Sequence, residues 1–255
     1  MFELIDVNDL ASLAKIIGGN LTGENKQFRY ITTDSRKINQ NSLFLALLGE
    51  KYDGHDFCET AIKAGAQAYI STKEIINHSG IVVEDTYLAL LKMARYQQQQ
   101  VNPKTLAITG SNGKTTLKEM VAHILDGHES IKTKDNENNQ FGIPFTVLRL
   151  KRETRFLVLE CGARKLGDFD LISEYLKFDV LVITNINNSH IEIFENQTNI
   201  IKTKTKLLDG LTEGGSFIDG AFEDWGTSDK LMEINQTFRV NVHHNLEQDS
   251  ETKPL

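Results

Sequence analysis

Residues 105–125 read TLAITGSNGKTTLKEMVAHIL, and this stretch combines three structural signals in a fixed order. The apolar run 105–109 is typical of a buried parallel strand, and residues 110–114 form a turn bounded by glycines. From Lys114 onward, apolar residues recur at helical spacing and predict one apolar helix face. These helix positions are Leu117, Met120, Val121, Ile124 and Leu125. A strand, a glycine turn and a helix start in this order are the context in which a phosphate-binding loop is expected.

The turn suits an anion, because its backbone N–H groups and the positive end of the helix dipole converge on one point. Lys114 would neutralise the outer phosphates of a nucleotide, and the Thr115 hydroxyl would bind Mg²⁺. The match is shorter than the general pattern, which requires a glycine at Ile108, so an incidental Gly-Lys-Thr turn is the alternative. The three signals together favour a nucleotide, ATP in particular. The predicted loop residues are Gly110, Ser111, Asn112, Gly113, Lys114, Thr115 and Thr116.

Composition narrows the class of protein. The 255 residues are enough for one large or two ordinary domains. With 25% charged residues and a net charge of −7, no basic footprint indicates a nucleic-acid partner. No apolar run is long enough to span a membrane. Two cysteines far apart in sequence, Cys58 and Cys161, are expected to be reduced, as in a cytoplasmic protein.

The amino-terminal part contains two predicted strands, residues 28–33 and 43–48, each followed by a polar loop. Before them, Asp6 or Asn8 is expected to cap a helix that ends at Gly18. In the loops, Arg36 offers a planar fork for a phosphate, with Ser35 and His55 as further donors. Composition alone equally allows these three to be ordinary loop residues.

A run of glutamines, residues 97–100, leads to Pro103 and follows a helix expected to be capped by Asp85. A polar run that ends in proline directly before the nucleotide strand predicts a domain boundary. We therefore expect a domain at 1–100 and a second at 103–255. Residues 246–255 are polar and are expected to be disordered.

Polar residues follow the later strands. Residues 133–150 are expected to form a loop that contains Asn138 and Asn139, and Glu160 ends a buried strand at 156–159. His190 follows another predicted strand, 179–184. Because ligands of open parallel sheets bind beyond the carboxyl ends of the strands, Glu160 and His190 are expected to hold Mg²⁺ or its waters. A structural role for the glutamate is the alternative.

One lysine stands apart in a helix predicted at about 199–211. Lys204 has apolar residues three and four positions before and after it, whereas Lys202 and Lys206 share the opposite face. A lysine in an apolar stripe has a lowered pKa and is neutral part of the time. On spacing alone, a side chain that extends its amine to solvent is the favoured interpretation.

Taken together, these motifs resemble the Mur ligase family. GSNGKTT, NNQFGIPFTVLRL, a strand ending in E-x-G-A, and SHIEIF before a lysine-rich helix are similar to its central domain. DSRKINQNSLFLALLGEKYDGHDF is similar to the uridine-diphosphate-binding domain of the MurE and MurF types, and NNQFGIP favours MurF. The resemblance covers residues 28–215. It implies an α/β fold: a small amino-terminal α/β domain, then an incomplete parallel-sheet domain with a P-loop.

The resemblance also implies chemistry. MurF-type ligases use ATP and Mg²⁺ to join D-alanyl-D-alanine to a UDP-N-acetylmuramoyl peptide through an acyl phosphate, in the cytoplasmic synthesis of peptidoglycan on which cell shape and division depend. Lys114 and Thr115 would then handle phosphates and Mg²⁺, and Glu160 and His190 a second metal. Lys204 would be the family's carbamylated lysine, whose CO₂-derived carbamate supports that metal. Ser35, Arg36 and His55 would belong to the uridine-diphosphate site, and Asn138 and Asn139 to the substrate-side loop.

The chain departs from the family at two places. Arg164-Lys165 stands where MurF proteins often have Asn-His, and Asp219-Gly220-Ala221 replaces an Asn-Ala-Asp stretch. The family's third domain is not matched, which suggests a truncated gene product, one half of a split enzyme restored by a separate chain, or a chain shortened for expression. Three functions follow: a MurF-type ligase that is incompetent alone, a non-catalytic module binding UDP-sugar peptide or nucleotide, and a MurE-type ligase.

Overall fold

The structure, a computed structural model, describes residues 1–49, 51–187, 191–220 and 241–244. Two compact units are present. The first contains Met1–Val101 and a later segment, Val147–Arg152, and the second contains Asn102–Thr146 and the chain from Glu153 onward. Each unit has its own mixed α/β architecture built on a largely parallel sheet, so the predicted fold class is confirmed.

Short apolar strands build the sheet of the first unit. They are β1 (Asn20–Thr22), β2 (Tyr30–Thr32), β3 (Ser42–Leu45), β4 (Ala68–Ser71) and β5 (Gly80–Val82). The sheet order is β1–β5–β4–β3–β2; β1 is antiparallel to β5, and the other neighbours are parallel. Leu43, Leu45 and Ile70 are fully buried, because strands with both faces covered carry near-continuous apolar runs.

The helices of the first unit are α1 (Leu10–Ile17), α2 (Cys58–Lys63) and α3 (Thr86–Val101). The cap of α1 is Asp9, whose carboxylate accepts from the Ser12 N–H at 3.0 Å, so the prediction of Asp6 or Asn8 was wrong. The helix begins at Leu10, and the residue directly before a helix is the one placed to bond its first free N–H groups. Gly18, with φ +71°, ends α1 in the left-handed conformation.

The glutamine run is helical and forms the last turns of α3. Gln97 is fully buried. Its Oε1 accepts from the Ile5 N–H at 3.1 Å, and its Nε2 donates to the carbonyls of Leu150 at 2.8 Å and Glu3 at 3.3 Å. A polar run therefore lies partly in the interior of the first unit, because one amide satisfies backbone groups of other segments.

The sheet of the second unit is parallel throughout. Its strands are β6 (Lys104–Thr109), β7 (Ser130–Lys132), β8 (Phe156–Glu160), β9 (Phe178–Ile183), β10 (Leu211–Asp219) and β11 (Asn241–His244). Within the described residues the order is β11–β10–β9–β6–β8–β7. Strand β6 thus lies between β8 and β9, and Ile108 is paired with Glu160 on one side and Val182 on the other. This register places the end of β8 beside the glycine turn.

The later helices are α4 (Lys114–Ile124), α5 (Gly142–Val147), α6 (Asp170–Tyr175), α7 (Ile191–Phe194) and α8 (Gln197–Thr205). Two expectations needed correction. Residues 133–150 are not all loop, because 142–147 are helical; Pro144 is in the first turn, where its missing N–H has no helical partner to lose. The helix predicted at 199–211 is α8 followed by a 3₁₀ turn, Lys206–Gly210.

The apolar face predicted for α4 does not form a core. Met120 and Ile124 are 58% and 74% exposed, and the buried residue of this helix is Lys118.

Among the described residues, no helix combines the length and apolar character needed to cross a membrane. Cys58 and Cys161 are both buried and free, and burial raises their thiol pKa to about 11 and about 12.

Candidate functional site

The glycine turn follows β6 directly, and both of its glycines are conformationally required. Gly110 has φ +145°, and a Cβ there would clash with Thr184 Oγ1. Gly113 has φ +79° and is the residue before α4. Because the first N–H groups of a helix have no helical acceptor, the start of α4 presents donors towards the turn. The strand, turn and helix predicted from residues 105–125 are therefore present in that order.

The segment that follows β9 forms hydrogen bonds with the glycine turn and holds it in place. Thr184 Oγ1 donates to the Asn112 carbonyl at 2.6 Å, and the Asn112 N–H donates to Asn185 Oδ1 at 2.9 Å. Ser111 N–H bonds the Asn185 carbonyl at 3.0 Å, and its Oγ accepts from the Asn187 N–H at 2.9 Å. These residues shape the loop, and the sequence had not assigned them a role. The available signal was their position after a strand that neighbours β6.

Two lysines converge on one carbonyl of the turn. The Gly110 oxygen accepts from Lys114 Nζ at 2.7 Å and from Lys204 Nζ at 3.0 Å. Lys204 is buried, and burial, together with the Lys114 charge, lowers its pKa to about 8. Burial also lowers the pKa of Lys114, while the Glu160 carboxylate opposes that shift. Lys202 is exposed, so of these two lysines of α8 only Lys204 faces the turn.

Glu160 is buried at the end of β8 and holds three polar partners around its carboxylate. Its Oε1 accepts from Thr115 Oγ1 at 3.0 Å and from Asn138 Nδ2 at 2.8 Å. Its Oε2 faces Lys118 Nζ at 3.4 Å and has no hydrogen-bond partner within the described part of the chain. Thr133 Oγ1 accepts from the Glu160 N–H at 3.0 Å. The structure thus brings together the predicted residues Thr115, Asn138 and Glu160, and adds Lys118, which sequence reasoning missed.

Asn139 is used differently from its neighbour. Its Oδ1 accepts from the N–H groups of Phe141 at 3.1 Å and Gly142 at 2.9 Å, at the start of α5. This side chain therefore caps a helix, whereas Asn138 reaches the carboxylate. The structure does not place the two predicted asparagines in one cluster.

The donor set around Thr115 and Glu160 fits Mg²⁺. A hydroxyl and a carboxylate 3.0 Å apart are hard oxygen ligands, and one carboxylate oxygen is buried without a hydrogen bond. Mg²⁺ in nucleotide sites takes one or two protein oxygens, with phosphates and waters completing its octahedron. Among the residues that the structure describes, no group of three or more His, Cys, Asp or Glu side chains is placed to hold a metal. His190 lies outside the described residues.

In the first unit, Ser35 and Arg36 begin a 3₁₀ turn that follows β2. The exposed Arg36 guanidinium forms two hydrogen bonds with Asp34, at 2.8 and 3.0 Å, and these lower the pKa of Asp34 to about 2. A planar fork that grips a carboxylate has the geometry that also binds phosphate.

His55 is held at both ring nitrogens. Its Nδ1 lies 2.5 Å from Asp53 Oδ1, and its Nε2 accepts from the Thr72 N–H at 3.2 Å, just after β4. A backbone N–H can only donate, so this contact fixes the tautomer with the proton on Nδ1. Arg36 and His55 both follow parallel strands of one sheet, but each has its own partners.

A comparison with protein families decides the assignment. Residues 108–251 match the model of the Mur ligase middle domain. The chain belongs to the Mur ligase family. Residues 27–101 match a second model, described as the Mur ligase family, catalytic domain. The resemblance predicted from the motifs is therefore confirmed.

Individual Mur ligases give the same assignment. The chain is 39% identical over 217 residues to the UDP-N-acetylmuramoyl-tripeptide–D-alanyl-D-alanine ligase of Haemophilus influenzae, covering 82% of this chain and 48% of the relative. The Bacillus subtilis enzyme of the same name is 36% identical, with 83% and 48% covered. The chain spans about half the length of the curated relatives it matches.

Solved structures share the fold. A crystal structure of MurF from Acinetobacter baumannii matches with a TM-score of 0.83 and 29% identity, covering 96% of this chain and 55% of that chain. MurF ligase from Thermotoga maritima in complex with ADP matches with a TM-score of 0.75 and 28% identity, covering 85% and 50%. About half of each of these MurF chains therefore lies outside the matched region.

Proposed function

We propose that this chain is the substrate- and nucleotide-binding part of a MurF-type ligase. In this reaction the terminal carboxylate of a UDP-N-acetylmuramoyl peptide attacks the γ-phosphate of ATP, releasing ADP and forming an acyl phosphate. The amine of D-alanyl-D-alanine then attacks that carbonyl; an amide bond forms, the amine loses a proton, and phosphate leaves. The observation that carries the proposal is the convergence of Lys114, Thr115, Glu160 and Lys204 on one glycine turn. The names of the matched relatives support it.

The site residues of the second unit are proposed to act in phosphoryl transfer. The turn residues Gly110 to Thr116 and the start of α4 would bind the phosphates, with Lys114 neutralising the outer ones. Thr115 and Glu160 would hold Mg²⁺, which supplies neutralisation of the phosphate charge when bound. Asn138 keeps the Glu160 carboxylate oriented through its 2.8 Å hydrogen bond. His190 remains a predicted metal ligand.

Lys204 is proposed to carry a carbamate. Its neutral amine would add to CO₂ and release a proton, which leaves a carbamate anion at a position where the protonated lysine would be a cation. Burial and the neighbouring Lys114 charge favour the neutral form of this amine, and so favour that chemistry. A carbamate there would offer oxygen ligands to a second Mg²⁺.

The first unit is proposed to bind the uridine diphosphate of the substrate, and the second to bind ATP. Ser35 and Arg36 would contact the diphosphate, with Arg36 exchanging Asp34 for phosphate oxygens. His55 would act mainly by holding the turn at 53–57, since both its ring nitrogens already have partners. Because the substrates are nucleotides and nucleotide-linked sugars, we place the reaction in the cytoplasm.

Nucleotide binding is the first test. Calorimetric titration with Mg·ATP should give a measurable Kd for the unaltered chain, and Lys114→Ala should weaken it by roughly 100-fold or more, since a charge-assisted contact to phosphate is lost. Lys134→Ala, at an exposed position outside the turn, is the matched control and should bind normally. Equal affinity for the Lys114→Ala variant and the unaltered chain would show that the phosphate-loop assignment is wrong.

A further inference from the structure

Lys118 is a buried charge that the proposed reaction does not use. It lies in α4, one turn after Lys114, and is 1% exposed. Its Nζ lies 3.4 Å from Glu160 Oε2 and 3.2 Å from Glu119 Oε1. A buried ammonium is costly unless it is paired, so a lysine at this position indicates a charge that needs compensation.

The two oxygens of Glu160 are engaged in different ways. Oε1 accepts hydrogen bonds from Thr115 and Asn138. Among the described residues, Oε2 has no hydrogen-bond partner, and it lies 3.4 Å from the Lys118 ammonium. The carboxylate is therefore held in orientation by neutral donors on one side and neutralised by a lysine on the other. This lysine occupies the side of Glu160 on which the carboxylate retains an unused lone pair.

A divalent cation that approaches Glu160 without a nucleotide meets a site whose surrounding side chains carry net positive charge. Lys118 lies between the carboxylates of Glu160 and Glu119, and Glu119 also pairs with Lys132. The amines of Lys114 and unmodified Lys204 lie on the adjacent turn and add further positive charge. A bound nucleoside triphosphate would make the surroundings of Glu160 negative, because it brings several negative charges to the same place.

We propose that Lys118 is a positioning residue for Glu160 that makes binding of a divalent cation at Thr115 and Glu160 depend on the nucleotide. Lys118 holds the buried carboxylate in place, and it keeps free divalent cations from binding there before nucleotide does. This proposal rests on the proposed nucleotide function of the same site.

The test measures binding of Mn²⁺ without nucleotide, from the electron paramagnetic resonance signal of the free ion. Lys118→Met should raise the affinity for Mn²⁺ by roughly ten-fold or more, because it removes a unit charge a few ångströms from the ligand. Lys118→Arg keeps the charge and should bind Mn²⁺ as weakly as the unaltered chain. Lys132→Met is the matched control: Lys132 pairs with Glu119 but not with Glu160, and its loss should have little effect. Adding Glu160→Gln to Lys118→Met should abolish the gain.

Folding of each variant is checked by circular dichroism and thermal unfolding. If Lys118→Met does not fold, Lys118→Gln carries the same test, because it removes the charge but retains a donor for Glu160 Oε2. Equal Mn²⁺ affinity for the unaltered chain and the folded neutral variant overturns the inference, as does an equal gain in Lys132→Met. Calorimetry with Mg·ATP on the unaltered chain separates the two proposals: no ATP binding refutes the nucleotide function, whereas ATP binding with unchanged Mn²⁺ affinities refutes only the role of Lys118.

Discussion

At the scale of single residues, the Gly110 carbonyl oxygen accepts hydrogen bonds from the amines of two lysines. These are Lys114 and Lys204, which are far apart in sequence. The Lys114 charge disfavours a second positive charge beside it, and so favours the neutral form of the Lys204 amine. Burial, together with the neighbouring Lys114 charge, lowers the pKa of Lys204 to about 8, so we expect this amine to be the one of the pair that reacts with CO₂.

Carbamylation should therefore be specific to Lys204 and should depend on pH. The neutral fraction of an amine of pKa about 8 is small at pH 7 and dominant at pH 9, so the carbamate signal should rise as pH increases through this window. A ¹³C NMR spectrum with ¹³C-bicarbonate and Mg²⁺ should show one protein carbamate. Lys204→Arg should remove that signal, whereas Lys202→Arg, at an exposed position of the same helix, should keep it. A signal that survives Lys204→Arg would assign the carbamate to another lysine.

At the scale of elements, the end of α3 shows how a polar segment becomes part of a core. Gln97 bonds backbone groups of three residues, and Gln100, in the same run, is exposed. Gln97→Ala should lower the free energy of unfolding by about 2–4 kcal/mol, since it leaves buried backbone groups unpaired and opens a small cavity. Gln100→Ala should change it by less than about 0.5 kcal/mol. Urea unfolding of both variants makes the comparison, and equal losses would contradict the assigned role of Gln97.

The loops after the strands of the first unit carry a second prediction at this scale. Titration with UDP should shift the backbone NMR signals of residues 34–36, because Arg36 would exchange Asp34 for phosphate. Residues 53–55 should shift with them if His55 holds the neighbouring turn of the site. Arg36→Met should reduce the affinity for UDP, and Arg29→Met, which removes an exposed arginine paired with Glu3, should not. Signals at 34–36 that remain unmoved at saturating UDP would exclude this loop from the site.

For the molecule as a whole, the proposal separates binding from ligation. The matched relatives are about twice as long as the region they share with this chain. We expect the chain alone to bind Mg·ATP and UDP but not to complete ligation, because positioning of the amine and exclusion of water contribute strongly to such reactions. Chromatography of labelled D-alanyl-D-alanine after incubation with both other substrates provides the measurement. Sustained formation of the UDP-linked product by this chain would refute the expectation.

The sequence alone was sufficient for the strand, turn and helix around Gly110, and for the presence of Glu160 at a strand end. Their determinants lie within a few neighbouring residues: glycines where φ is positive, apolar runs of strand length, and helical spacing after Lys114. The family also followed from short motifs in a recognisable order. Lys204 could be placed on the buried face of its helix from spacing, although spacing alone favoured a solvated amine.

Only the tertiary structure decided which residues meet. Strand β6 lies between β8 and β9, and this order brings Glu160 to one side of the turn and Asn185 to the other. The burial of Lys118 and Gln97 could not be predicted either, because a lysine or glutamine is placed in a core only when a distant segment supplies its partner. Local patterns report propensity and periodicity, whereas the pairing of charges and amides depends on which strands become neighbours.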